Sequence, residues 1–448
     1  MMFCLGTSLR LVPVCVRAFP RCFSSIIPGL DEPIGDEIQR TASLYVHWPY
    51  CLRRCSYCNF NKYISRSSNN NDSITECLQK ETQTLIRLSQ VSCITSVFFG
   101  GGTPSLAHPS TIAAVLESIS QQAHIPHNVE VTLEVNPTPL GRSKLEDFYH
   151  AGVNRFSIGI QTLNDEDLCV LARDHSSHDA LRTVEEASRL CPGRVSVDLM
   201  FGRPLQTAHS WDRELKEVLQ VCDDHLSLYQ LTVERGTQLF KQVQQGEVTM
   251  PGDEITADMY ERARALLHQH GFQQYEVSNF ARRNAVSHHN LSYWKGRQYI
   301  GVGPGAHGRF VPLGEGVVCR EARTQTLEPE VWMCEVQKKG HGTRRRIQLR
   351  PYELIEEVLV MGMRMTNGIT HKHWQCFSPH FNLHHVFGSS PSVQGLLQSG
   401  NLVLDERGLR CSYEGLSLLD SILPTLLLEI EQIYAPKQKD NHIFYNSR

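Results

Sequence analysis

What this 448-residue chain lacks narrows its class before any motif is read. No run reaches the roughly 20 consecutive apolar residues of a membrane helix, so no membrane span is expected. Excess positive charge is also missing. The 44 Lys and Arg face 47 Asp and Glu, a formal net charge of -3, and the broad basic surface that phosphate backbones demand is not provided; nucleic acid is not an expected partner. Residues 1–30 contain neither lysine nor acid, yet carry Arg10, Arg17 and Arg21. Cysteine, by contrast, is plentiful. The 15 cysteines are odd in number and dispersed, which fits a reducing compartment better than a secreted disulfide scaffold.

The acid-free start has the composition of a mitochondrial presequence. Arg10 and Arg17 interleave with Leu9, Leu11, Val12, Val14, Val16 and Phe19, and Arg21-Cys-Phe-Ser-Ser25 is similar to a matrix-processing site. A disordered tail would share this composition, whereas a secretory signal is disfavoured because Arg10 and Pro13 interrupt the apolar stretch. The expected organisation is a presequence at 1–23, a linker at 24–43, a first domain at 44–274, a second region at 275–435 and a frayed tail at 436–448.

From residue 44 to about 233, β-rich runs alternate with helical patterns. Strands are expected at Leu44–Trp48, Ser96–Phe99, Glu130–Val135, Arg155–Ile160, Arg194–Phe201 and His225–Val233. Helices are expected near 74–89, 109–122, 143–151, 165–172, 178–190 and 211–222, with Asp72, Ser73 and Ser143 as caps. Such crossovers make a parallel α/β sheet that curls toward a barrel or partial barrel with helices outside. The polar run 65–73 is a loop without evident chemistry.

Cys51, Cys55 and Cys58 follow the first strand as C-x3-C-x2-C. Three thiolates on one tight loop can hold a 4Fe-4S cluster by three corners and leave one iron open. Zinc competes less well, because no second ligand pair follows at a persuasive distance. Ligands collect at the carboxyl ends of parallel strands. There the sequence places the cysteine loop, Gly100-Gly-Gly-Thr-Pro104, Glu134, Gln161 and Asp198. Gly101 and Gly102 permit close backbone approach and Thr103 adds a hydroxyl, although a triple glycine before proline also suits a simple turn. Arg173, at the end of a helical stretch, serves equally as a ligand or as a complement to the helix dipole.

The run Tyr45 to Phe60, with Gly100-Gly-Gly-Thr-Pro104, Glu134-Val-Asn-Pro137, Ser157-Ile-Gly-Ile-Gln161 and Val197-Asp-Leu-Met200, resembles the radical S-adenosylmethionine (SAM) superfamily. Within it, the chain is similar to the branch holding the coproporphyrinogen III dehydrogenase HemN and the haem chaperone HemW, over nearly everything after residue 40. The resemblance implies a partial barrel of six strands and six helices and a small, mainly helical carboxyl-terminal domain. It also implies a 4Fe-4S cluster and SAM, cleaved reductively to methionine and a 5'-deoxyadenosyl radical. On its terms Glu134 and Gly101 hold the amino end of SAM, Arg173 meets the carboxylate, Gln161 and Asp198 bind the ribose, and Tyr45 and Tyr57 pack near cluster and adenine.

Two functions of different class follow. One is oxidative decarboxylation of coproporphyrinogen III; the other is haem binding and delivery to an unidentified acceptor protein, with an external electron donor for the cluster. HemN-type dehydrogenases resemble C-x3-C-x2-C-x-C, and the position of the fourth cysteine is Phe60 here. That favours the HemW-like reading, without dehydrogenase activity and in mitochondria. The glycines of Gly301-Val-Gly-Pro-Gly-Ala-His-Gly308 lack the spacing and β-α context of a dinucleotide loop. His289, in the HemW-like run His289-Asn-Leu-Ser-Tyr-Trp294, is the first candidate for a haem ligand, with a hydrogen-bonded structural histidine as the alternative. The basic stretch Lys338–Arg350 reads as a solvated loop, or as a contact for haem propionates or a partner.

Overall fold

The computed structural model describes residues 40–64, 71–314 and 320–440. The presequence at 1–23, most of the linker and residues 441–448 of the tail lie outside the described residues. The first strand is β1 (Thr41–Trp48), followed by the short β2 (Tyr50–Cys51) and β3 (Tyr63–Ile64). Then come β4 (Cys93–Gly101), β5 (Glu130–Val135), β6 (Arg155–Gln161), β7 (Val195–Phe201) and β8 (His225–Gln230). In the sheet β1, β4, β5, β6, β7 and β8 lie side by side in that order and all parallel. These are the six strands expected, and the architecture is α/β. Their Val, Ile, Leu and Phe runs are buried because helices cover the sheet, as parallel strands require.

Beyond this core the sheet continues on both sides. After the helix Asp253–Gln269 come β9 (Gln273–Glu276), β10 (Asn279–Ala281), β11 (Tyr299–Val302), β12 (His307–Phe310), β13 (Glu321–Gln325) and β14 (Thr343–Gln348). β10 and β9 extend the β8 side; β11 joins β1 in parallel, and β12, β13 and β14 follow antiparallel. The twelve-stranded order is linear, so the sheet remains open. Sequence periodicity did not mark these outer strands, which are short, with glycine in β11 and β12 and arginine in β12, β13 and β14. The basic run is accordingly not a loop: Lys338 and Lys339 end the helix Pro329–Lys339 and residues 343–348 form the edge strand. Exposed arginines on an edge strand deter pairing with a second chain.

The second core belongs to the helical region after residue 351, where Leu359, Met363, Trp374, Phe387, Leu409 and Leu426 are buried together. Its last helix, Leu419–Asp440, runs through the start of the expected tail. Three expected caps are corrected. Asp72 and Ser73 lie within the helix Asn71–Leu88, because that helix starts earlier in the polar run. Ser143 closes the short helix Pro139–Arg142, and Lys144 occupies the cap of Leu145–His150.

Glu81, fully buried on the helix Asn71–Leu88, fastens the added strands to the original core. Its carboxylate accepts from Gly303 N at 2.8 Å, Gly342 N at 2.7 Å and Trp332 Nε1 at 2.9 Å. Removing it orphans three buried donors at roughly 1–3 kcal/mol each. Glu81→Ala should therefore lower the unfolding midpoint in a thermal scan by several degrees, and an unchanged midpoint would show that the three donors find other partners.

Candidate cofactor site

The cysteine loop begins where β1 ends. β2 and β3 pair in parallel, Tyr50 with Tyr63 and Cys51 with Ile64, which pins the two ends of the loop together. Ser56 fixes its middle, its Oγ donating to Val170 O at 2.9 Å and its N to Leu171 O at 3.1 Å. Asn61 fixes its far side by donating from Nδ2 to Pro304 O and Leu327 O, both at 3.0 Å. Cys51 is buried and Cys55 and Cys58 half-buried, all three unbridged. Among the described residues no three thiol, imidazole or carboxylate side chains converge on a point as a single ion would require. A zinc ion needs four ligands at one point; a cube takes its thiolates at separate corners.

The triple glycine is more than a turn. Gly101 has φ +110°, and a Cβ there would fall within 2.6 Å of the His47 ring. A Cβ on Gly102 would meet Tyr50 O at 2.8 Å and Trp48 O at 2.9 Å. The segment therefore lies directly against the backbone of the cysteine loop, where Thr103 Oγ1 donates to Cys51 Sγ at 3.3 Å. Burial pushes the Cys51 thiol up, and that hydroxyl opposes the shift.

Glu134, next to last in β5, accepts from Gly101 N at 3.1 Å. Burial lifts its carboxyl to about 7, an effect the Gly101 donor opposes and nearby Asp198 adds to. Gln161 ends β6 with φ +64°, a left-handed backbone that a non-glycine residue rarely adopts. Asp198 Oδ2 accepts from Ser157 Oγ at 2.9 Å, while its Oδ1 is buried without a partner. Tyr45 lines the inner wall, its OH 3.1 Å from His47 Nδ1. Tyr57 packs against the buried group of Leu171, Met200, Leu231 and Leu239.

The Arg173 N–H donates to Leu168 O at 2.9 Å and so closes the end of a helix, but its side chain is not spent there. The helix Asp165–Val170 ends before it, and the guanidinium turns to the cluster loop, Nη1 to Cys55 Sγ at 3.5 Å. Nη2 donates to Gly159 O at 2.8 Å and to Asn136 Oδ1, and Asn136 Nδ2 donates to Asp174 Oδ1 at 2.6 Å. Asn136, Ser157, Ser56 and Asn61 were not singled out in the sequence. Asn136 could have been, standing two residues after Glu134 in the same motif.

His289 shows the hydrogen bonding of the structural alternative. It sits on the helix His288–Trp294 beside Ser96 of β4 and Glu130 of β5, away from the rim. Its Nδ1 is 2.9 Å from Ser96 Oγ and its Nε2 3.0 Å from Tyr293 OH, and only 1% of the residue is exposed. Both ring nitrogens are thus engaged within the chain.

A three-thiol loop laid over the carboxyl ends of a six-stranded parallel α/β sheet defines the radical SAM class. The model of the radical SAM superfamily matches residues 45–218. The chain is 67% identical over 431 residues to radical S-adenosyl methionine domain-containing protein 1, mitochondrial, of Danio rerio, covering 95% of this chain and 97% of that one. It is 31% identical over 391 residues to the heme chaperone HemW of Bacillus subtilis, covering 87% and 100%. The solved structure of coproporphyrinogen III oxidase (HemN) from Escherichia coli superposes with a TM-score of 0.71 at 20% identity, covering 88% and 90%. The chain belongs to the radical SAM superfamily, in the family that joins the HemW proteins to radical SAM domain-containing protein 1.

The family's cofactors are a 4Fe-4S cluster and SAM, and the residues present fit them. Asp198 Oδ1 and Arg173 Nε are both buried without a partner, an acceptor and a donor facing the chemistry of ribose hydroxyls and a carboxylate. Bound together, cluster and SAM supply one-electron radical chemistry; the chain supplies position and shelter. Cys51→Ala, Cys55→Ala and Cys58→Ala should each abolish iron-sulfur absorption after anaerobic reconstitution, and full iron and sulfide content in any of them would refute the ligand set. Protonated Glu134 keeps only a neutral carbonyl acceptor and holds an amino group less strongly than its carboxylate does. SAM affinity, measured by equilibrium dialysis, should thus strengthen as pH rises through about 7, and Glu134→Gln should weaken binding and flatten that dependence.

Proposed function

We propose that this chain is a mitochondrial haem-binding protein that delivers haem to an acceptor protein, and that it lacks coproporphyrinogen dehydrogenase activity. The relation to the B. subtilis heme chaperone, 31% identical across that protein's full length, supports this most. Phe60 supports it further: it is 51% exposed at the position where the dehydrogenase pattern has its fourth cysteine. Likeness to HemN at 20% identity bears on the fold alone. The names of the animal relatives place them in mitochondria, and residues 1–23 have the composition to direct this chain there.

In this reading Cys51, Cys55 and Cys58 hold three irons of the cluster. Glu134 and Gly101 receive the amino end of SAM, Arg173, steadied by Asn136, its carboxylate, and Gln161 and Asp198 the ribose. Tyr45, Tyr57, Gly102 and Thr103 complete the walls. An external donor reduces the cluster. Anaerobic reconstitution followed by a haem titration and a coproporphyrinogen assay should give stoichiometric haem binding and no protoporphyrinogen. Turnover without stable haem binding would sink the carrier reading.

A further inference from the structure

A haem carrier needs an accessible seat for the porphyrin, and the buried histidines do not provide one. Among the described residues these are His47, His175, His225, His289 and His373. The first four are tied by ring hydrogen bonds to Asn61, Ile160, Tyr275 and Ser96, respectively, and His373 is only 8% exposed.

The Leu52–Arg54 stretch of the cysteine loop is built differently. A cavity of about 560 Å³ opens there, within the usual range for small-molecule sites of about 300–1,000 Å³. Leu52, Ile64 and Ala172 give it apolar walls, and Leu52 and Ile64 remain 49% and 44% exposed. Arg53 and Arg54 project from the same loop into solvent with no ion pair among the described residues. Cys169, also exposed, lies on the helix Asp165–Val170. The two Ser56 hydrogen bonds fasten the end of that helix to the loop, so the backbone that carries the thiol and the two arginines keeps one spacing.

We propose that this cavity is the haem seat, with Leu52, Ile64 and Ala172 against the porphyrin, Arg53 and Arg54 on the propionates and Cys169 Sγ on the iron. The inference rests on the haem-carrier reading and gives that reading a location. Guanidinium forks match carboxylates, and a cysteine thiolate is an established axial ligand of haem. On coordination the thiol proton passes to solvent and the sulfur donates an electron pair to ferric iron, with no change in oxidation state. A seat at the surface also suits a cargo that must leave again.

The test titrates ferric haem into the reconstituted full-length protein and follows the Soret band and the ferric-haem electron paramagnetic resonance. The wild type should bind with a thiolate signature. Cys169→Ser should lose that signature and bind at least tenfold more weakly with iron and sulfide content unchanged, and Cys169→His should restore tight binding with an imidazole spectrum. The pair Arg53→Ala and Arg54→Ala should weaken binding about tenfold without moving the Soret band. Wild-type spectrum and affinity in Cys169→Ser would overturn the seat while leaving the carrier reading intact; absence of haem binding by the wild type would overturn the carrier reading itself.

Discussion

Every distance at the rim depends on how a loop of little regular structure is held still, and the pivot is His47. Its ring leaves no room for a side chain on Gly101, and its backbone carbonyl leaves none on Gly303. Its Nε2 is 2.8 Å from Asn61 O, at the far side of the loop. Burial lowers its pKa to about 4, so the imidazole is neutral and adds no uncompensated charge. Gly303 in turn donates to Glu81. One residue thereby touches β4, the far side of the cysteine loop and the turn after β11 together. The glycine-rich run 301–308, which the sequence marked only by failing as a dinucleotide loop, is the abutment against which the cluster loop rests.

The six parallel strands were legible because each is a β-branched or aromatic run bounded by turn residues, and their order followed from crossover connections. The rim residues were legible for the same reason: a polar side chain at the end of an apolar strand stands out. β11 to β14 were not, since a run such as Gly-Val-Gly-Pro-Gly-Ala-His-Gly carries no period of two and takes its extended form from the strand beside it. Arg173 was readable as a candidate but not as a decision, because only its contacts with Cys55 and Asn136 separate a ligand from a helix terminus. His289 shows the opposite limit. A histidine among aromatics looks the same in sequence whether its nitrogens face a ligand or face Ser96 and Tyr293.

The two ends of the parallel strands are occupied in contrasting ways, and the contrast bears on the chemistry. At the amino end the helix His288–Trp294 is bolted down: Glu130 accepts from His288 N at 3.1 Å and His289 N at 2.9 Å, a carboxylate at the positive end of a helix. Arg155 lies 3.7 Å from that carboxylate and donates to Ala285 O at 3.0 Å. From this base rings rise toward the rim, His289 stacked on Phe98 at 5.0 Å and Phe98 on Tyr45 at 6.2 Å. On the proposed reading SAM uses rim atoms alone: the Glu134 carboxyl, the unpartnered Asp198 oxygen and the Arg173 guanidinium. On the same reading, haem at Leu52–Arg54 and SAM at the strand ends would share Arg173, which lines the cavity and also reaches Cys55.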